Sequence, residues 1–120
     1  MSSMLNLKKN VAEDSDIVRT LVVAAANGAI AIQNSTVVIT KGTAAAMTLG
    51  TPTTAQNGTV ITIVSATAAA HTVTAGTIGF NAGNTGTDVG TFGGAIGDGM
   101  TVVAYAGEWL VTGNINVTLA

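Results

Sequence analysis

The chain has no cysteine in its 120 residues. This absence excludes a disulfide-linked scaffold and zinc sites that depend on cysteine ligands. The first long apolar run, residues 21–26, ends after six positions, whereas a membrane span needs about 20. Glu13, Asp14 and Asp16 also separate this run from Lys8 and Lys9, so it does not have the form of a secretory leader. We therefore expect a protein made in the cytoplasm, with no membrane partner.

Charge is also scarce. Charged residues make up 8% of the chain, against roughly a quarter in a typical soluble domain, and only four are Lys or Arg. With a net charge of −2 and a pI near 4.9, the chain lacks the basic cluster that a nucleic-acid partner requires. Six of the charged residues lie between positions 8 and 19. We predict a charged N-terminal arm, residues 1–19, followed by one domain, residues 20–120.

Threonine, alanine and glycine dominate what is present, with 20, 20 and 15 copies. Hydrophobic residues make up 48% of the chain and the mean hydropathy is +0.54, the reverse of a disordered composition. Strands rich in Val, Ile and Thr are predicted at residues 36–40, 59–65, 71–75, 101–105, 108–112 and 115–119. Turn pairs such as Asn57-Gly58 and Ala106-Gly107 separate them, and no window has helical periodicity. The predicted fold class is all-β, an antiparallel sandwich or small barrel.

The last two long strands predict a hairpin that can be aligned residue by residue. A two-residue loop at Ala106-Gly107 places three pairs on one face and two on the other. The predicted pairs are Tyr105–Glu108, Val103–Leu110 and Thr101–Thr112, and Ala104–Trp109 and Val102–Val111. Because both faces carry large apolar side chains, a further cover is expected over the outer one. We therefore predict self-association, with Val103, Tyr105, Trp109 and Leu110 in subunit or core packing.

Residues that could carry catalysis are few. His71 is the single histidine, and a triad with Ser65 and Asp88 would lack the nucleophile elbow that supports such chemistry. The glycine-rich run at 90–99 lacks the Lys-Ser/Thr ending of a phosphate-binding loop and is predicted to form tight turns around a short strand through Phe92. We predict no catalytic residues, no cofactor and no enzymatic activity.

The N-terminal arm supplies the candidate partner-binding residues. Glu13, Asp14 and Asp16 do not have the spacing of an EF-hand loop, so we interpret them as an acidic patch that faces a partner rather than a metal site. The basic side chains of the arm complete the candidate set. On charge and position, the predicted partner-binding residues are Lys8, Lys9, Glu13, Asp14, Asp16 and Arg19.

Several stretches resemble small β-rich structural proteins of tailed bacteriophages, in particular head decoration or cement proteins. The resemblance lies in residues 38–49 (VITKGTAAAMTL), residues 58–63 (GTVITI), residues 91–94 (TFGG) and Trp109, within positions 36–112. It implies a jelly-roll or related β-sandwich on the outer capsid surface of a virion, bound to the major capsid protein as a dimer or trimer. The implied function is non-enzymatic: bridging capsid subunits and stabilising the head against internal DNA pressure.

Two alternatives stay open. Threonine- and glycine-rich β-proteins also occur in phage fibres and tail attachments. A carbohydrate-binding module, or weak glycan contact by a decoration protein, would use exposed aromatic side chains and polar groups at a loop rim. The supply of aromatic residues for such a site is one Trp, one Tyr and two Phe.

Overall fold

The computed structural model describes residues 19–120, which form ten strands in two five-stranded sheets. The strands are β1 Thr20–Ala24, β2 Gly28–Ile30, β3 Ser35–Ile39, β4 Ala46–Leu49, β5 Val60–Ser65, β6 Thr72–Thr74, β7 Val89–Phe92, β8 Gly99–Tyr105, β9 Glu108–Ile115 and β10 Val117–Leu119. Three short 3₁₀ helices lie in the connections, at Thr54–Gln56, Gly76–Ile78 and Asn84–Thr87.

The two sheets pack face to face, and each is part parallel and part antiparallel. Sheet A has the order β1-β3-β5-β8-β9, and sheet B has the order β2-β4-β6-β7-β10. The first six strands alternate between the sheets, and neighbours among them are parallel. This part has the architecture of a short β-solenoid with three coils. The last four strands pair antiparallel and complete both sheets.

The fold is therefore mostly β and sandwich-like, as predicted, but the expectation of an antiparallel sandwich is wrong for half of the strand pairs. The parallel pairs are β1 with β3, β3 with β5, β2 with β4 and β4 with β6. The structure does not confirm jelly-roll connectivity, which is built from antiparallel strands. Local patterns predict where a strand lies, whereas a parallel partner lies a whole coil away in the sequence.

The core lies between the sheets and is supplied by alternate residues of each strand. In β3 and β5 the buried positions are every second residue, including Val37, Ile39, Ile61 and Ile63. Trp109 is fully buried, and its indole Nε1 donates a hydrogen bond of 2.8 Å to the Gly50 carbonyl oxygen. Residues of both sheets belong to one continuous cluster of buried side chains, so the described part of the chain has a single core.

Asparagine side chains satisfy main-chain amides where the chain turns between strands. The Asn27 Oδ1 atom accepts a hydrogen bond from the Ala46 amide at 2.9 Å, and the Asn34 Oδ1 atom accepts one from the Val60 amide at 2.8 Å. Each bond joins one coil to the next. Asn57, Asn81 and Asn114 accept in the same way from the amides of Ala106, Val111 and Val117. Of these five asparagines, only Asn57 is identified by the sequence analysis, as part of a turn.

The predicted hairpin is confirmed up to a β-bulge. Ala106 and Gly107 both have positive φ, 51° and 77°, as the tight two-residue turn requires. Four of the five predicted cross-strand pairs are present. The fifth is wrong, because the register shifts between Thr101 and Val102 and places Gly113 rather than Thr112 opposite Thr101.

Candidate functional site

The outer face of sheet A is an extended and mainly aliphatic surface that crosses all five strands. Its outward side chains from β1, β3, β5, β8 and β9 are Leu21, Val23, Thr36, Val38, Val60, Thr62, Val64, Thr101, Val103, Tyr105, Glu108, Leu110 and Ile115. Leu21, Val23, Tyr105 and Ile115 are 61–65% exposed, and the others are half-buried by their neighbours. We call this surface face A. In residues 19–120 no other strand covers it.

A row of threonines crosses the middle of face A and connects to the one described residue of the predicted arm. Thr62 and Thr101 lie opposite each other, with their Oγ1 atoms 3.1 Å apart. The exposed Arg19 guanidinium donates a hydrogen bond of 3.1 Å to the Thr62 Oγ1 atom. Arg19 therefore lies over face A. The other predicted arm residues, Lys8, Lys9, Glu13, Asp14 and Asp16, lie outside the described residues.

Two glycines form a groove in face A. Gly99 and Gly113 lie on the adjacent strands β8 and β9, and the depression over them has a volume of about 130 Å³. Its walls include Val64 on one side and Ile115 on the other. A Cβ atom on Gly99 would collide with the Ile63 carbonyl oxygen, whereas a Cβ atom on Gly113 would meet only ordinary contacts with Thr101. The groove is thus large enough for an apolar side chain of a partner.

The outer face of sheet B, which we call face B, has a different composition. Its outward residues are Ala29, Ala46, Thr48, Thr72, Thr74, Val89, Thr91 and Thr118. Five of these residues are threonines, whose hydroxyl groups can bond to water, and two are alanines. Face B is therefore suited to solvent, whereas face A is rich in larger aliphatic side chains.

His71 is buried in the core and has both ring nitrogens occupied. Its Nδ1 atom accepts a hydrogen bond of 2.9 Å from the Ala45 amide, and its Nε2 atom lies 3.0 Å from the Thr67 Oγ1 atom. Because the Thr67 hydroxyl donates to the Lys41 carbonyl oxygen, the histidine must donate from Nε2 and is neutral. Burial, with a smaller contribution from Lys41, lowers the pKa of His71 below its usual value.

These contacts do not assemble a catalytic triad. The Ser65 hydroxyl donates to the Thr67 carbonyl oxygen at 2.6 Å rather than to His71. Neither nitrogen of the buried ring is free to accept a proton from a nucleophile. The arrangement instead joins the corners of two coils in sheet B.

The glycine-rich run at 90–99 forms tight turns, as predicted. Gly94 and Gly97 have positive φ, and the nearly buried Asp98 accepts a hydrogen bond at its Oδ2 atom from the Ala95 amide at 2.9 Å. The same oxygen accepts a hydrogen bond of 3.2 Å from the Asn116 side chain. Asp98 therefore stabilises the turn between β7 and β8.

The predicted packing residues fall in three different environments. Trp109 lies in the core, and Val103 and Leu110 lie opposite each other on face A, half-buried. Tyr105 is 62% exposed at the end of the hairpin. Phe80 and Phe92 are buried with Trp109, so Tyr105 is the exposed aromatic residue of the described part.

Comparisons with family models, curated proteins and solved structures find no match to this chain. Among residues 19–120, no cluster of His, Asp or Glu has the composition of a metal site. The helices in the same range are too short to cross a membrane.

Proposed function

We propose that the chain is a non-enzymatic structural protein of a bacteriophage particle that binds the outside of the capsid through face A and stabilises the head. The observation that carries the proposal is the contrast between the two outer faces. Face A is largely aliphatic over five strands, whereas face B is mainly threonine. Large exposed apolar surfaces on small domains favour a protein partner. In this proposal the partner is the major capsid protein.

Face A offers such a partner an exposed apolar surface and a groove that can position one of its side chains. Its exposed residues Leu21, Val23 and Ile115 would lose contact with water on binding, which favours association. The groove over Gly99 and Gly113 can accept one apolar side chain and so define the position of the partner. Arg19, the last residue of the predicted arm, lies at the same surface.

Many copies on one lattice would act together. A protein that bridges capsid subunits adds binding free energy that must be lost before the shell separates. Because each copy is tied to a regular array of sites, individually modest contacts give a stable layer. A small domain with a nearly uncharged surface is compatible with this role, since contacts with neighbours replace the charge repulsion that keeps a free monomer in solution.

A glycan-binding role, the main alternative, has less support. Such a site would need aromatic side chains on which a sugar ring can stack. Trp109, Phe80 and Phe92 are all buried, which leaves Tyr105 as the exposed aromatic residue of residues 19–120. The described surface therefore favours a protein partner.

The first experiment asks whether the protein occurs in purified particles of the phage whose genome encodes it, and in how many copies per major capsid protein. A ratio near one, with earlier thermal rupture of particles that lack the protein, is the expected result. A few copies per particle would indicate a fibre or tail attachment instead. Absence from the particles would overturn the proposal.

The role of face A is tested with charge placed on either side of the sandwich. Ile115 on face A and Thr118 on face B lie in the last two strands, and both are exposed. Ile115→Lys should weaken particle binding at least about tenfold because it buries an unpaired charge, while Thr118→Lys should leave binding unchanged. Gly113→Ala should narrow the groove and weaken binding without loss of stability. Equal effects of the two lysine variants would exclude face A as the binding surface.

A further inference from the structure

One end of the sandwich is open in the part of the chain that the structure describes. β1 is the edge strand of sheet A and β2 is the edge strand of sheet B, and both edges lie at this end. Between them is a pocket of about 330 Å³ that opens to the core. Its lining includes Val22, Ala24 and Ile30 from the edge strands and Val37 and Met47 from the strands behind them. We call this region the open end.

The opposite end is closed by the chain itself. The Asn81 amide donates to the Trp109 carbonyl oxygen at 2.9 Å, and the Asn81 Oδ1 atom accepts from the Val111 amide at 2.8 Å. Asn81 therefore occupies the free edge of β9 as a partner strand would. Asn114 bonds through its side chain to both the amide and the carbonyl oxygen of Val117 where β9 passes into β10.

At the open end, alternate main-chain groups of β1 have no partner among residues 19–120. The Thr20 amide donates to the Asn34 carbonyl oxygen, and the Ala24 carbonyl oxygen accepts from the Thr40 amide, so these residues face β3. Because backbone groups alternate along a strand, the amides and carbonyl oxygens of Leu21 and Val23 face away from β3. Unpaired edges of this kind are templates for pairing with another chain.

We infer that the open end is the site at which a second copy of this chain docks across a two-fold axis. An axis normal to the sheets places β1 antiparallel to its copy and β2 antiparallel to its copy in one step. Both sheets then continue through the interface, and the two pockets face each other. A single peptide strand would pair with one edge only, whereas a second copy brings two edges with the same separation.

Charge also favours a second copy. No residue from Thr20 to Thr40 is ionisable, so two open ends meet without repulsion between like charges. Residues 20–40 offer no charged side chain with which a charged partner could form an ion pair. The small side chains of Ala25, Ala26, Ala29 and Ala31 around the pocket allow the two surfaces to approach closely.

This inference extends the proposed function: it places the self-association predicted from the sequence at the open end rather than on the outer face of the hairpin, and it selects a dimer over a trimer. The dimer also has twice the area of face A, because the outer faces of sheet A in the two copies become one continuous surface. Two linked faces would bind a capsid lattice with avidity. The test is carried out in solution without particles, so its result is separate from the result for capsid binding.

The experiment compares the full chain with Val23→Pro and Val23→Thr by light scattering after size exclusion. Proline removes the Val23 amide, which faces the open edge, and edge strands tolerate proline. Threonine keeps that amide and the branched shape of the side chain. We expect the wild type and Val23→Thr to have twice the 11.8 kDa mass of one chain, and Val23→Pro to have the monomer mass. A monomeric or trimeric wild type, or a dimeric Val23→Pro variant, would overturn the inference.

Hydrogen exchange of the wild type tests the same interface without any substitution. The amides of Leu21 and Val23 should exchange slowly in the dimer and much faster after dilution below the dissociation constant. The Val22 amide faces β3 and should change little. Protection of Leu21 and Val23 that persists in a monomer would show that another segment of the same chain covers the edge, and would contradict the inference.

Discussion

The two sheets of this protein are alike on the inside and different on the outside. Both contribute aliphatic and aromatic side chains to one core, such as Ile61 and Ile63 from sheet A and Val73 and Phe92 from sheet B. On the outer surfaces, sheet A presents mainly valine, leucine and isoleucine, whereas sheet B presents mainly threonine. The inner surfaces hold the fold together, and the outer surfaces determine what each side can contact.

Face A and face B differ mainly in whether they carry valine or threonine, two side chains of nearly the same shape. Valine and threonine are both branched at Cβ and both favour strands, so exchange between them leaves the local backbone preference almost unchanged. The hydroxyl group nevertheless changes the cost of removing the surface from water. Face A and face B can therefore differ in their partners while both sheets have the same strand geometry.

The largest expected effect is a difference in the free energy of unfolding between substitutions at two adjacent positions, one in the core and one on face A. Trp109→Ala should lower the free energy of unfolding by about 3–5 kcal/mol, because it leaves a cavity between the sheets. Leu110→Ala, one residue later on face A, should cost about 1 kcal/mol or less because Leu110 is already half-exposed to water. Urea denaturation of both variants measures the difference. Similar losses would show that face A contributes to folding as much as the core does.

A second prediction concerns pH. Burial lowers the pKa of His71 in the folded chain, so protonation favours the unfolded chain. The contribution of His71 to stability should be complete above pH 6.5, the usual value, and should be lost as the pH falls below it. Thermal unfolding between pH 7.5 and 5 should show this decrease, and His71→Gln should remove it. An equal decrease in the variant would assign the pH response to groups outside the core.

A smaller effect on stability is expected when the two outer faces are exchanged. Val38 and Val64 are neighbours on face A, and Thr72 and Thr91 are neighbours on face B. Replacing each pair by the other residue type should change stability by about 1 kcal/mol or less per site. Binding of a hydrophobic dye should fall for Val38→Thr/Val64→Thr and rise for Thr72→Val/Thr91→Val. Unchanged dye binding in both variants would contradict the proposed contrast between the faces.

The smallest effect is expected at the one inward-facing polar group of β3. The Ser35 hydroxyl is buried and has no hydrogen-bond partner within the described chain. Ser35→Ala removes this unpaired group and should raise the free energy of unfolding by up to about 1 kcal/mol. Chemical denaturation is the measurement, with Ser65→Ala as the comparison. Because Ser65 donates to the Thr67 carbonyl oxygen, its loss should instead be destabilising.

Local sequence patterns were sufficient for part of the fold. The positive-φ turn at Ala106-Gly107 and the strands beside it determine the hairpin, because the turn and its neighbours are close in sequence. The same reasoning failed at Thr101, since a bulge adds a residue without a clear signal. It also missed β1, β2 and β4, because β2 has only three residues and β1 and β4 each share a residue with an alanine triplet, at 24–26 and 44–46. Face A was predicted in part, because large apolar side chains are expected on both faces of the hairpin that contains Val103.

The open end and the corner contacts could not be predicted in this way. Residue type predicts a turn at Asn57, but its side-chain oxygen accepts from an amide 49 positions away, and that of Asn34 accepts from an amide 26 positions away. His71 has one partner only four residues away, Thr67, but its other partner, Ala45, lies 26 residues away in the preceding coil. Long-range contacts of this kind depend on how the coils stack, which no local window contains.

The sequence by itself determined that the chain forms strands rather than helices, that it has no disulfides, and that charge is concentrated near one end. These properties follow from composition and from period-two patterns, which are local. Only the tertiary structure decided that the first six strands wind as parallel coils, that Trp109 lies in the core, and that valines gather on one outer face. The physical reason is that strand pairing and sheet packing join residues whose separation along the chain leaves no local signal.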